Sequence, residues 1–239
     1  MDGKRALFDR LFPAGHAVTR DGLLLHGWGD AGAGRVHVIG TTDHAAIDSA
    51  LALSLSGAVL DAVESDRGKP PRPCVFVADT QGQALSRREE LLGLNGYFAH
   101  LARTVHLARQ QGHRLLTLID GEAVSGGFLA FGLLADAVVA LPGAEVRVMD
   151  LRAMARITRI PHERLLELAR SSPVFAPGAE NYWRMGGIHS LWAPGEDWAG
   201  ALRALCAGSG TEDGRAELGA ARGGRLLAHV VARQVLDAA

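Results

Sequence analysis

A segment in the middle of the chain, Arg114 to Met149, constrains the fold more than any other part of the sequence. It reads RLLTLIDGEAVSGGFLAFGLLADAVVALPGAEVRVM. The apolar run Arg114 to Ile119 predicts a buried strand, which ends at a turn formed by Asp120 and Gly121. A helix, a strand, a turn and another strand follow. The segment therefore predicts an α/β architecture whose strands pair largely in parallel.

Gly126 and Gly127 begin the helix of this segment. We expect that helix to be buried, because its side chains are too apolar to face water: Phe128, Leu129, Phe131, Leu133 and Leu134. A helix start directs free backbone N–H groups and the positive end of the helix dipole towards whatever lies above it. The two glycines either let a ligand approach the main chain or only permit tight packing of strand on helix, and the motif alone leaves both open.

The first third of the chain continues the alternation of strands and helices. Leu23 to His26 and Val36 to Ile39 are short strand candidates on either side of a glycine-rich connector. Asp43 is a candidate N-cap for the helix that follows. The apolar residues of that helix recur every fourth position: Ile47, Leu51, Leu55, Val59 and Val63. This spacing favours a helix over a strand.

A strand and a helix are also predicted between residues 75 and 112. Val75 to Asp79 reads as a buried strand, and Ser86 to Glu89 matches a capping box that begins a helix. We expect this helix to end at Gly112 and to turn an apolar face to the core: Leu91, Leu94, Phe98, Leu101 and Val105. The glutamates Glu89 and Glu90 are then a cap and a helix-start charge.

The remainder of the chain divides into three parts. We assign residues 1–207 to one domain, 208–224 to a polar glycine-rich link, and 225–239 to a C-terminal amphipathic helix that packs on the domain or on a partner. Within the domain, Pro161 opens one helix, and Ala179 to Met185 forms another before Gly186 and Gly187. The apolar face of the C-terminal helix is Leu227, Val230, Val231 and Val235.

Composition excludes several classes of function. The 25 Lys and Arg residues nearly balance the 26 Asp and Glu residues, so bulk charge gives no reason to expect binding to nucleic acid or to a membrane. Two cysteines are too few for a disulfide framework or a cysteine metal site. We predict no metal site, because His26, His37 and His44 lack ligand spacing with a carboxylate between them. No signal peptide is recognised, and a cytoplasmic location is expected.

Two familiar motifs occur in an unsuitable context. Gly27 to Gly32 matches the dinucleotide glycine fingerprint, but a strand follows instead of the helix that would bind a pyrophosphate. Ser125 lies before Gly126 and Gly127 without the first glycine of a hydrolase nucleophile elbow. We therefore expect neither a nucleotide site nor a serine nucleophile.

Together with the central segment, the stretch Val75 to His106 resembles the carboxyltransferase branch of the crotonase-like folds. The matching positions are Asp79-Thr80-Gln81-Gly82-Gln83, then Glu90 and Gly93, then Ser125-Gly126-Gly127. Within this branch the chain is most similar to gamma subunits of biotin-independent malonate decarboxylase. The resemblance covers roughly Val36 to Trp192. It implies a ClpP/crotonase spiral of ββα units and a carboxyltransferase domain of the C type.

The resemblance also implies a site and a reaction. Backbone N–H groups of Gly82, Gln83, Gly126 and Gly127 would form an oxyanion hole for the enolate produced when a malonyl thioester loses carbon dioxide. Five further residues would contact the substrate: Thr80, Gln81, Glu90, Ser125 and Phe128. Gln81 and Phe128 depart from the proline and the small residue that are usual in the family. We expect them to narrow the opening that a biotin ring would need.

Several partners follow from the same resemblance. A homologous beta subunit would complete the site, and an acyl carrier protein with a CoA-like arm, loaded by an acyl-carrier transferase alpha subunit, would bring the malonyl group. No cofactor would bind this chain directly, and no biotin would be needed. The alternatives are one carboxyltransferase half of a biotin-dependent acyl-CoA carboxylase, a self-contained crotonase acting on an acyl-CoA, and a non-catalytic scaffold.

Overall fold

The computed structural model describes residues 2–172, 176–208 and 213–238. Its strands form one mixed sheet in the order β1-β2-β3-β5-β6-β7-β9. β1 to β3 are antiparallel, and the strands from β3 to β9 are parallel. The strands are β1 (His16–Asp21), β2 (Leu24–Asp30), β3 (Arg35–Thr41), β4 (Ala45–Ile47), β5 (Cys74–Gln83), β6 (Leu115–Val124), β7 (Ala137–Ala140), β8 (Glu145–Arg147) and β9 (Ser190–Leu191). The predicted α/β spiral is confirmed.

The two central strands, β5 and β6, are longer than expected and change partners along their length. The first half of β5 pairs with β3 and β6, and after a register shift between Ala78 and Thr80 its end pairs with β4. β6 pairs first with β7 and then, from Glu122 onward, with β8. Asp120 and Gly121, predicted to end the strand, instead lie within it. The strand therefore continues to the residue before the Gly126-Gly127 turn.

Helices cover both faces of the sheet. On one face α2 (Ser49–Ser65), α4 (Leu94–Gln110) and α5 (Ser125–Phe131) enclose a core that contains Phe76 and Phe131. On the other face α1 (Asp2–Leu11) and α9 (Trp198–Ala207) pack on a second core with Phe12 and Trp198. Because β5 and β6 are buried on both faces, they read as continuous apolar runs.

The start of α2 differs from the sequence prediction. Asp48, and not Asp43, caps the helix, because its carboxylate accepts a hydrogen bond from the Leu51 N–H at 2.8 Å. Asp43 lies in a turn with a positive φ of 58°. Ile47, which fits the helical spacing, belongs to β4. The two elements follow each other so closely that one apolar pattern runs through both.

The predicted helix from Ser86 to Gly112 is divided in two. Ser86 caps the short α3 (Arg87–Leu91), and α4 begins after Gly93, which has a φ of 74°. Leu91 is 78% exposed, so its predicted core position is wrong. Glu89 does not complete the capping box. Its buried carboxylate accepts a hydrogen bond from the Ser49 N–H at 2.7 Å, and this bond lowers the pKa of Glu89.

The central segment is largely as predicted, with one exception in α5. Phe128 and Phe131 are buried, whereas Leu129 is 47% exposed and is therefore not a core residue of this chain. The N-terminal α1 and β1 were not predicted, although Leu7, Phe8, Leu11 and Phe12 recur with a helical period and are all buried.

Helices dominate the chain beyond residue 150. The expected helices are present as α7 (His162–Ser171) and α8 (Ala179–Arg184), while α6 (Leu151–Thr158) and α9 were not predicted. The link assigned to residues 208–224 contains α10 (Arg215–Ala221), whose Gly219 packs against the Met185 backbone. Residues 209–212 of that link lie outside the described part of the chain. The division into domain, link and terminal helix stays a prediction.

The C-terminal helix is present as α11 (Ala228–Asp237), and the side chains of its predicted apolar face are exposed to solvent. Leu227, Val230, Val231 and Val235 are each between 48% and 72% exposed. Packing on its own domain, one of the two predicted arrangements, is therefore not seen for these four side chains. In the described part of the chain, no helix is both long enough and apolar enough to cross a membrane.

A buried ionic network lies near the starts of β3 and β5, at the opposite end of the parallel strands from the Gly126-Gly127 turn. The carboxylate of Asp66 accepts hydrogen bonds from the backbone N–H and the Nε–H of Arg72 at 2.9 and 2.7 Å, and pairs with His37 Nε2 at 3.0 Å. Burial alone would raise the pKa of Asp66, but the Arg72 and His37 hydrogen bonds hold it far below its usual range. Burial also lowers the pKa of His37. The Asp66 shift favours the folded state at neutral pH, whereas the lowered pKa of His37 costs stability only as the pH falls and the imidazole takes up a proton.

The network should contribute to stability in a pH-dependent way. We expect Asp66→Asn to lower the free energy of unfolding by roughly 3 kcal/mol at about pH 7, because it leaves the Arg72 charge uncompensated. The wild type should lose this advantage as the pH falls from about 5 towards 2, since a depressed carboxyl pKa stabilises the fold only while the group is ionised. Denaturant unfolding at several pH values measures both effects.

Glu64→Gln is the matched control, since Glu64 is exposed on the same helix and pairs only with Arg67 among the contacts described. It should change the free energy of unfolding by less than about 1 kcal/mol. Equal losses in the two variants would contradict a structural role for the network.

Candidate functional site

The two glycine turns predicted to form one site lie in direct contact. Gly82, near the end of β5, has a φ of 101°, a conformation that favours glycine. A Cβ added to Gly127 would lie 2.8 Å from the Gly82 Cα and 3.1 Å from Thr80 Oγ1. No side chain fits between these backbones. The structure thus brings Gly82, Gln83, Gly126 and Gly127 to one place, across more than forty residues of sequence.

Thr80 holds the first turn in shape. Its buried hydroxyl donates to the Ala45 carbonyl at 2.6 Å and accepts from the Gly82 N–H at 3.0 Å. The Gly82 N–H is therefore already bound in this conformation. Gly82 provides the left-handed turn and the close approach, while an oxyanion would need N–H groups from other residues of the predicted set.

The start of α5 presents such groups. Ser125, its first residue, has a φ of 52°, so the chain turns sharply from β6 into the helix. No described side chain caps the helix, and its second glycine, Gly127, packs against the Gly82 backbone. The first N–H groups of a helix have no partner within the helix. The Gln83 side-chain oxygen is buried without a hydrogen-bond partner among the described residues. It lies 3.1 Å from the position that a Gly126 Cβ would occupy. Because buried acceptors in proteins are nearly always hydrogen-bonded, we expect a donor from another molecule to bind this oxygen.

The remaining predicted site residues occupy different environments. Gln81 and Glu90 are exposed, and Ser125 is half-buried. Phe128 is 2% exposed and belongs to the core beneath α5, where it fills the space above Gly132. Phe128 therefore supports the helix from below in this conformation. The buried glutamate near the turn is Glu89, whose carboxylate joins α3 to the start of α2.

A charged cluster beside the turn was not predicted from the sequence. Asp79, buried at the register shift of β5, pairs with Lys4 Nζ at 3.3 Å and with His44 Nδ1 at 2.9 Å. Lys4 also pairs with Asp120 at 2.6 Å. A Cβ on Gly121 would lie 2.3 Å from Asp79 Oδ1, so this glycine makes room for the carboxylate. The available signal was that each aspartate ends the apolar run of one of two neighbouring parallel strands.

A groove of about 980 Å³ adjoins this cluster on the side of α1, β1 and β2. It is lined by both apolar and charged side chains, among them Lys4, Phe8, His16, Arg20 and Asp43. None of the glycines of the two turns lines it. The groove is thus lined by other residues, whereas the backbone chemistry predicted from the motifs would take place at the turns.

The structure brings together one set of residues with metal-ligating side chains. Candidate ligand atoms of His37, Asp66 and His113 lie within 4.8 Å of one another. Sequence spacing alone could not show this, because the three residues come from separate elements. Their atoms are already engaged: His37 pairs with Asp66, and His113 Nδ1 lies 2.7 Å from the Arg72 carbonyl oxygen. Arg72 supplies the positive charge that a cation would bring. The geometry is that of a structural network.

The Gly27-to-Gly32 motif covers the second half of β2 and the first residues of the turn that leads to β3. A Cβ on Gly27 would lie 2.0 Å from the Ala17 carbonyl oxygen of β1. The prediction that a strand follows this motif is confirmed. These glycines serve strand packing and begin no helix.

Comparison with known proteins agrees with this geometry. A sequence model of the family MdcE, malonate decarboxylase gamma subunit, matches residues 42–239. A Pseudomonas malonate decarboxylase hetero-tetramer in complex with coenzyme A contains a chain that is 27% identical, with a TM-score of 0.82 over 97% of each chain. A Pseudomonas MdcD-MdcE hetero-dimer is 28% identical, with a TM-score of 0.75 over 94% of this chain and 97% of that one.

A third relative is the malonyl-S-ACP:biotin-protein carboxyltransferase MADD of Malonomonas rubra. It is 34% identical over 140 residues, which are 56% of this chain and 48% of the relative. The matched part thus spans about half the length of that relative.

The spiral sheet and the paired glycine turns define a protein of the carboxyltransferase type, with a crotonase-like fold. Within that class, the chain belongs to the malonate decarboxylase gamma-subunit family.

The two glycines of α5 should respond differently to substitution by alanine. Gly127→Ala places a Cβ against the Gly82 backbone, and we expect it to lower the free energy of unfolding by roughly 1–3 kcal/mol. Gly126→Ala meets only the end of the flexible Gln83 side chain, so stability should stay near that of the wild type. Its turnover should nevertheless fall roughly tenfold or more, because the methyl group crowds the open N–H groups.

Melting curves and initial rates of the reconstituted complex separate the two effects. If the Gly126→Ala enzyme had unchanged turnover, the predicted catalytic role of Gly126 would be wrong.

Proposed function

We propose that this chain is the gamma subunit of a malonate decarboxylase, a carboxy-lyase that converts a malonyl thioester on an acyl carrier protein to the acetyl thioester and carbon dioxide. Membership of the gamma-subunit family over residues 42–239 is the observation that carries the proposal. The contact between the Gly82 and Gly127 backbones also supports it, because the two glycine turns that resemble the family's motifs lie side by side.

The reaction needs a place for negative charge. As carbon dioxide leaves, the electron pair of the broken C–C bond moves towards the thioester oxygen and forms an enolate. Preorganised N–H donors shielded from water lower such a barrier by about 3 kcal/mol each. We assign this role to the backbone N–H groups of Gln83, Gly126 and Gly127. Gly82 shapes the turn, since its own N–H is bound to Thr80.

Side chains near the turn would orient the acyl group. The unpaired Gln83 oxygen can accept a hydrogen bond from an amide N–H of the carrier's CoA-like arm. Thr80 acts indirectly, through the shape of the turn. Gln81, Glu90 and Ser125 lie at or near the surface, where a second subunit would complete the pocket. Phe128 is buried, so it would narrow a biotin channel only through the position of α5.

The half-open site supports a hetero-oligomer. We propose that a homologous beta subunit covers the turns, as the MdcD-MdcE pair of Pseudomonas suggests. The acyl carrier protein and an acyl-carrier transferase alpha subunit would complete the enzyme. Exposed leucines beside the turn, Leu85 and Leu91, are 81% and 78% exposed and fit a subunit interface.

This assembly predicts the behaviour of the separated chain. Expressed alone, the chain should aggregate or release no carbon dioxide, because its site lacks one wall. Co-expression with the beta subunit should give a soluble hetero-oligomer in size-exclusion chromatography and restore activity. A catalytically competent monomer would contradict the proposal.

A second candidate function is a carboxyltransferase half of a biotin-dependent enzyme. The 34% identity to the Malonomonas rubra carboxyltransferase favours it. In that reaction the carboxyl group passes to biotin and is not released. The two functions share the fold and the enolate, so the fate of the carboxyl group distinguishes them.

A labelling experiment decides between the two functions. The complex should release labelled carbon dioxide from malonyl acyl carrier protein in the absence of biotin, and avidin should leave the rate unchanged. The carbon dioxide comes from the free carboxylate, while a proton replaces it on the remaining carbon. Label on added biotin, or loss of activity with avidin, would establish the transferase instead.

A further inference from the structure

The helix α6 is unusual among the elements around the site because none of its eight residues is buried. Exposed arginines occupy positions 152, 156 and 159, the last being the residue that ends the helix. A spacing of four residues places Arg152 and Arg156 on the same side of the helix, and Arg159 follows at its C-cap with a φ of 62°. They form a stripe of positive charge, which we call the α6 arginine stripe.

Arg152, Arg156 and Arg159 make no side-chain hydrogen bond or ion pair with any residue that the structure describes. The carboxylate of Asp150 caps the helix: it accepts hydrogen bonds from the Arg152 and Ala153 N–H groups at 2.9 and 2.8 Å, and it also interacts electrostatically with Arg156. In contrast, Arg147 and Arg164 are paired with glutamates. A chain of formal net charge −1 thus places three exposed arginines on one short helix and at its C-terminal end.

The stripe lies close to the site along the chain and in the fold. β8 pairs with the end of β6, so that Arg147 is opposite Val124, the residue that precedes α5. Asp150 begins α6 three residues after Arg147. Paired strands are about 4.8 Å apart, and a helix of eight residues is about 12 Å long. A protein seated on α6 would therefore be next to the Gly126-Gly127 turn.

From this placement we infer that the α6 arginine stripe docks an acidic face of the acyl carrier protein that delivers the malonyl group. The inference rests on the proposed function, because that function requires a carrier protein to reach this edge. Charge complementarity selects an acidic partner, and exposed Val148, at 54%, adds an apolar contact beside the stripe. Electrostatic contacts of this kind raise the rate of association and make it sensitive to salt.

Charge reversal of the stripe tests the inference. The variant R152E/R156E/R159E, in complex with the beta subunit, should raise KM for malonyl acyl carrier protein roughly tenfold or more at low salt. Its kcat should change little. Turnover of malonyl-N-acetylcysteamine, a thioester without a carrier protein or a phosphate, should equal that of the wild type. Added salt should raise KM of the wild type towards that of the variant.

A matched control variant carries the same change in net charge at three arginines away from α6. Arg67, Arg103 and Arg233 are exposed on or after α2, α4 and α11, and their joint reversal to glutamate should leave KM for the carrier substrate unchanged. An equal rise of KM in this control would overturn the docking site, because bulk charge would then explain the effect. If R152E/R156E/R159E failed to assemble with the beta subunit, the docking site would also be overturned, because α6 would then be a subunit interface.

Direct binding separates this inference from the proposed function. Fluorescence anisotropy of acyl carrier protein that lacks its arm needs no turnover, so it tests the stripe even if the complex releases no carbon dioxide. Binding by the wild type that is lost in R152E/R156E/R159E supports the inference. If the variant binds the arm-free carrier as well as the wild type and loses only affinity for the armed form, the stripe contacts the phosphate of the arm and the inference is wrong.

Discussion

The contact between the backbones of Gly82 and Gly127 is the constraint on which the site depends. A Cβ on Gly127 would lie 2.8 Å from the Gly82 Cα, and Gly82 has a φ of 101°, so the end of β5 and the start of α5 pack closely only with glycine at these positions. The register shift of β5 at Ala78 to Thr80 turns the strand towards β4, and Thr80 then fixes the turn through Ala45. The backbone N–H groups proposed as catalytic donors would therefore be held by rigid elements, as catalysis by backbone groups requires.

Ionic pairs stabilise both ends of the buried strands. At one end, Asp66 joins Arg72 and His37 where β3 and β5 begin. At the other end, Asp79 and Asp120 share Lys4 of α1, so the N-terminal helix is tied to the strands that carry the site. Charges in such places cost desolvation energy, and they persist because each has partners. The exposed arginines on and after α6 differ from both groups, because they make no ion pair with any side chain that the structure describes.

Much of the scaffold could be predicted because it follows from periodicity and from glycine motifs. The strands at Val75 and Arg114, the helix from Gly126 and the helix after Pro161 all carry local signals. Errors arose where one apolar pattern covered two elements, as at Ile47, or where a glycine divided a helix, as at Gly93. Leu91 and Leu129 were expected in a core because periodicity does not distinguish a core from a surface that a partner covers.

The sequence by itself determined the alternation of strands and helices, the family resemblance and the residues of the two turns. Those features depend on neighbours within a few positions, where side-chain pattern and backbone preference act directly. Only the tertiary structure decided that the Gly82 N–H is bound, that Phe128 lies beneath α5, and that Lys4, Asp79 and Asp120 meet. Each of these depends on contacts between residues distant in sequence, and such contacts are set by the packing of the whole sheet and its helices.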